Sequence, residues 1–105
     1  MEQLIKSVKA IAKDEYDRAA AVHGRQHASQ HEAYAVILEE FQETCEDVAT
    51  LGNLITDNFW KNVRTDNLNG NATVAKQIYD AAIFSACEAI QVAAMAYKAS
   101  QGYGG

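Results

Sequence analysis

The chain has 105 residues, a formal net charge of −5 and no proline. That length is a single domain by size, and an acidic balance excludes the basic surplus of proteins that track a nucleic-acid backbone. Alanine, the best helix former, occurs 19 times while proline, the main helix breaker, is missing, so the expected fold class is all-α. The acidic surplus is local: His31 to Asp47 holds six acids (Glu32, Glu39, Glu40, Glu43, Glu46, Asp47) and no Lys or Arg, whereas the other eight acids are balanced by nine bases.

A first helix is expected over 1–22. Leu4, Ile5, Val8, Ile11, Ala12 and Tyr16 recur at three- and four-residue steps, and Gly24 stops the pattern. His23, His27 and His31 are spaced by four, but the glycine and a following cap break the helix that would make them a metal-binding stripe. Arg25, His27 and His31 therefore read as polar loop groups, or as positive lining of a ligand pocket near the next helix start. Ser29 and Glu32 form the S-x-x-E signature of a capping box. The acidic helix with its continuation is expected over 30–64. Tyr34, Leu38, Phe41, Cys45 and Val48 step along it as a bundle seam, with Gly52 as a kink or an end.

Residues 65–71 are dense in turn formers and predict a loop. An apolar central helix is expected over 73–100, then a loose tail over 101–105. These elements predict a four-helix-bundle-like single domain whose alanine-rich faces favour a homo-oligomer. Cys45 and Cys87 lack the number and context of a disulfide framework. Met1 to Lys9 is not a signal peptide, and Ala81 to Tyr97 is too short and alanine-rich for a spanning helix, so a cytoplasmic protein without membrane contact is expected.

On the acidic helix, Val36, Glu40, Glu43 and Asp47 share one stripe. Like charges at these steps repel, and clustered carboxylates suit Mg²⁺ or Mn²⁺; the plain alternative is a solvated acidic face. Glu88 stands in an apolar stretch, where a carboxylate requires a partner, a metal or a raised pKa. Gln91 follows at i+3. Glu88 and Gln91 facing Glu40 and Glu43 would make a bundle metal site; the alternative pairs Glu88 with Lys98, Lys76 or a histidine.

The stretch His31-Glu-Ala-Tyr-Ala-Val-Ile-Leu-Glu-Glu-Phe-Gln-Glu resembles the metal-binding helix of the all-α nucleoside-triphosphate pyrophosphohydrolases, the MazG-like and dimeric dUTPase-like group. Glu40-x-x-Glu43 matches that family's first motif, E-x-x-E. Glu88-x-x-Gln91 is similar to its second, E-x-x-D, with glutamine in place of aspartate. Over residues 30–98 the chain also resembles small proteins of bacteriophages and prophages, which implies a bacterial or phage-infected cell. The resemblance implies a nucleotide or nucleotide-derived ligand and Mg²⁺-assisted hydrolysis of an α–β phosphate bond. Glu40, Glu43 and Glu88, with Gln91 as a neutral oxygen donor, would hold the ion. Glu39 or Asp47 would be the base, Lys61 and Arg64 would receive phosphates, and Trp60 or Phe59 would stack on a nucleobase unless packed in the core. Two other readings stay open: a phage-type protein that sequesters a nucleotide signal without hydrolysis, and an acidic helical module that docks a basic partner.

Overall fold

A computed structural model describes residues 1–104. The fold is all-α, without a β-strand among the described residues. Helix α1 spans Glu2–His23, α2 spans Gln30–Asn53, a π-helical stretch spans Leu54–Phe59, α3 spans Trp60–Arg64 and α4 spans Leu68–Ser100. The chain divides into two compact units, Met1–Gln42 with Glu88–Gly105, and Glu43–Cys87.

In the first unit α1 ends at Gly24, whose φ of 88° is open to glycine and strained for other residues. Its N–H bonds the Ala20 carbonyl at 2.9 Å, closing the last turn. The capping box at the start of α2 forms in a shifted version. Ser29 Oγ accepts from the Glu32 N–H at 3.1 Å, and Glu32 Oε2 accepts from the Ala28 N–H at 2.9 Å, one residue before the cap.

The core of this unit is small and specific. Tyr16, Ala20 and Ala94 are buried, with Met95 packed against them. Ala94 has no exposed surface, so α4 approaches α1 as closely as an alanine allows. Tyr16 and Tyr97 meet edge to face with centroids 4.8 Å apart. The Tyr16 hydroxyl donates to the Arg25 carbonyl at 2.7 Å, which anchors the 24–29 connection to α1.

The tail is not loose as expected over 101–104. Gln26 Nε2 donates to the Gln101 carbonyl at 2.6 Å, the Gly104 N–H donates to the His27 carbonyl at 2.9 Å, and His27 and Tyr103 form an isolated bridge. Backbone pairing that sequence periodicity does not encode holds it there. Gly105 lies outside the described residues.

In the second unit α2 ends at Asn53, one residue past Gly52, and the chain continues helically through the π-helical stretch into α3. Thr56 Oγ1 donates to the Gly52 carbonyl at 3.0 Å, a local bond of the kind that competes with regular helix bonding. The loop expected over 65–71 is shorter, because α4 starts at Leu68. Asn67 Oδ1 accepts from the Gly70 N–H at 2.9 Å and caps the helix. A Cβ at Gly70 would lie 2.5 Å from Asn67 Nδ2, so the capping side chain occupies the space a larger residue needs.

The bundle seam of α2 is also corrected: Tyr34, Phe41, Cys45 and Val48 are exposed, Tyr34 at 69%. Likewise α4 is apolar but not enclosed, since Tyr79, Ile83 and Phe84 are exposed. By length and composition alone α4, Leu68–Ser100, is long and apolar enough to cross a membrane. Core helices of water-soluble proteins meet the same measure.

Candidate metal centre and the adjoining cleft

Helix α2 is regular from Gln30 to Asn53, so Glu40 and Glu43 stand one turn apart on one side. Helix α4 supplies Glu88. Within the first unit one carboxylate oxygen of Glu40 lies within 4.8 Å of one of Glu88; Glu43 follows on α2 as the first residue of the second unit. Glu40 and Glu88 are half-buried and Glu43 is exposed. Two unit charges at that separation repel by about 1 kcal/mol in water and several times more in a less polar setting.

The donor set suits a hard divalent cation, which takes carboxylate oxygens. Oxygens that share one Mg²⁺ at about 2.1 Å stand about 3.0 Å apart when adjacent, so side-chain rotation would have to bring the Glu40 and Glu88 oxygens, now within 4.8 Å, closer together. Their chemistry fits such an ion.

The other expected site residues divide. Glu39 and Asp47 are not members of the carboxylate group. Gln91 turns its amide nitrogen to α1: its Nε2 donates to Glu15 Oε1 at 2.7 Å. Arg25 Nη1 pairs with Asp17 at 3.3 Å and lines a separate cleft with Lys13, Tyr16 and Tyr97. Lys61 lines a shallow depression of about 320 Å³ in the second unit with Asp57, Asn58, Asn62 and Val74. Arg64 is exposed on the last turn of α3. Trp60, expected in the core on the plain reading, is 56% exposed. Phe59 is half-buried.

His27 departs most from expectation. A loop histidine reads as a polar surface group, yet His27 is 1% exposed, the most completely buried large side chain among the described residues. Its Nε2 donates to the Met95 carbonyl at 3.2 Å, and its Nδ1 has no hydrogen-bond partner. No family model, curated protein or solved structure matches the chain.

His27 lines a cleft of about 490 Å³ that lies wholly within the first unit. Glu32, Val36 and Glu40 line it from α2, Gln91, Met95 and Lys98 from α4, and Ala19 and His23 from α1. Each set is a helical stripe, stepping by four on α2, by four and three on α4, and by four on α1. Lys98 is 6% exposed. Sequence reasoning considered Lys98 only as a partner for Glu88. The signal was present in the register: Glu88, Gln91, Met95 and Lys98 share one face of α4 at steps of three, four and three.

A second electrostatic cluster sits on α1. The Arg18 guanidinium and the Gln91 amide bond the Glu15 carboxylate and hold its pKa below the ordinary carboxylate range. Lys13, then Arg25, do the same for Asp17. The Arg18–Glu15 contact is a two-point hydrogen-bonded ion pair along one helix turn.

Proposed function

We propose that the protein binds a nucleotide through a divalent cation, Mg²⁺, held by carboxylates that include Glu40 and Glu88, and that it hydrolyses the α–β phosphate bond of a nucleoside triphosphate. The approach of a Glu40 carboxylate oxygen to within 4.8 Å of one of Glu88 supports this reading. A bound divalent ion supplies charge neutralisation for phosphate oxygens and a more acidic water. Glu40 offers one donor from α2 and Glu88 a second from α4. Glu39 and Asp47 lie outside the group, so neither is assigned as base.

One observation favours a second reading, binding without turnover. The fourth motif position is the neutral Gln91, whose amide is bound to Glu15. A carboxylate site with no assigned base can hold a nucleotide through its metal and release it unchanged.

Pyrophosphate release from a panel of nucleoside triphosphates with Mg²⁺ tests these readings. The first expects turnover that Glu40→Gln abolishes. Nucleotide that binds and is recovered intact after denaturation supports the second. Failure of the chain to bind Mn²⁺ by electron paramagnetic resonance overturns both.

We also propose that copies of the chain associate into a homo-oligomeric, four-helix-bundle-like assembly. Leu4, Ile5, Val8 and Ile11 are exposed along one stripe of α1, as are Tyr34 and Phe41 on α2, and such faces are ordinarily covered in a stable protein. Sedimentation equilibrium is expected to show more than one copy per particle; a monomer at micromolar concentration overturns the assembly.

A further inference from the structure

The cleft of the first unit carries chemistry that the acidic group does not use. Two polar groups in it are almost entirely buried. His27 has its Nε2 on the Met95 carbonyl and its Nδ1 without a partner. Lys98 lines the same cleft at 6% exposure. A buried ring nitrogen left unmatched is destabilising, and a buried ammonium is stabilised by an anion set against it. Elsewhere in this unit three cations have carboxylates, Lys13 and Arg25 sharing Asp17 and Arg18 taking Glu15. The polar neighbours of the cleft are also engaged: Glu32 accepts from the Ala28 N–H, and Gln91 donates to Glu15.

We propose that this cleft is a phosphoryl-anion site in which the Lys98 ammonium and His27 Nδ1 meet the oxygens of a phosphate or pyrophosphate group. The volume of about 490 Å³ falls in the range of small-molecule clefts. A phosphoryl group offers three oxygens, enough for the ammonium, the imidazole and a neighbouring cation at once, where a carboxylate offers two. With Nε2–H spent on Met95, Nδ1 accepts from a protonated phosphoryl oxygen or, as imidazolium, donates to an anionic one. The inference rests on the cation reading in one respect. Glu40 also lines the cleft, and a cation held there removes the repulsion an incoming anion meets.

The test titrates inorganic pyrophosphate into the full chain, with and without Mn²⁺, and measures Mn²⁺ binding separately. Pyrophosphate is expected to bind and to move the ¹⁵N resonance of His27 Nδ1 in the unaltered protein. Lys98→Met is expected to weaken pyrophosphate binding about tenfold, the loss of one charge-assisted contact, while Lys98→Arg retains most of it. Far-UV circular dichroism checks that both variants keep their helices, and their Mn²⁺ affinity is expected to be unchanged. A non-hydrolysable nucleoside triphosphate is expected to show the same dependence on Lys98, and adenosine, which has no phosphate, to leave the resonance unmoved. Equal pyrophosphate binding by Lys98→Met and the parent, a His27 resonance that does not move, or movement caused by adenosine overturns the anion site. If the parent chain binds no Mn²⁺, the cation reading fails, and the metal-free pyrophosphate arm decides the anion site by the same readouts.

Discussion

The carboxylates of α1 and those of α2 and α4 in the first unit keep different company. Glu15 and Asp17 are met by Arg18, Lys13 and Arg25, all within one or two turns or in the adjoining connection. Glu40 brings a carboxylate oxygen within 4.8 Å of one of Glu88. The first arrangement lowers the pKa of its acids through nearby cations and fastens α1 to its surroundings. The second sets two acids from different helices at one place. What faces an acid, and not its residue type, sets its charge chemistry.

The largest expected contrast is in metal response. Divalent cation at a hundredfold excess over its dissociation constant is expected to stabilise the parent by about 2.7 kcal/mol. Glu40→Gln and Glu88→Gln are expected to lose that rise in melting temperature, whereas Glu15→Gln keeps it. Equal metal-induced shifts in all four proteins would show that the α2–α4 carboxylates are not the ligands. Next in size is an effect without metal: Glu15→Gln removes the carboxylate that Arg18 and Gln91 bond and is expected to lower the melting temperature; an unchanged value would show that these bonds do not stabilise the fold.

Acid titration sharpens the same comparison. Glu15 and Asp17 have folded-state pKa values below their ordinary ones, so their contribution is fully present above the ordinary carboxylate range and lost as pH falls through the depressed values. Chemical unfolding followed from neutral pH to pH about 3 is expected to show a steeper loss for the parent than for a Glu15→Gln, Asp17→Asn double variant; identical slopes would remove the two pairs from the account of stability. Smallest is a control on local structure in the second unit. Gly70→Ala places a methyl against the capping Asn67 and is expected to destabilise by about 1 kcal/mol, the worth of an N-cap. Measured gain instead would mean that alanine's helix propensity outweighs the cap.

Much of the helical layout was legible in the sequence. Gly24 marks the end of α1 one residue from its expected place, and Ser29 with Glu32 announces the start of α2. These signals are local, a turn or less in length, and local signals survive without the fold. The start of α4 was misplaced because Asn67 belongs to a residue class that builds both loops and caps, and only the backbone path separates the two. The E-x-x-E pair and the isolated Glu88 were visible as candidates. Lys98 was overlooked as a cleft residue although it shares the register of Glu88.

The absence of proline, the alanine content and the three-and-four spacing of apolar residues determined by themselves an all-α chain with its acidic surplus on one helix. Helix formation is decided by contacts within a few residues, which a sequence displays directly. Only the tertiary structure decided that Glu88 stands beside Glu40, that Gln91 turns to Glu15, and that a loop histidine and a late lysine are buried in one cleft. Those outcomes depend on residues far apart along the chain, where burial and charge proximity are set by packing rather than by spacing.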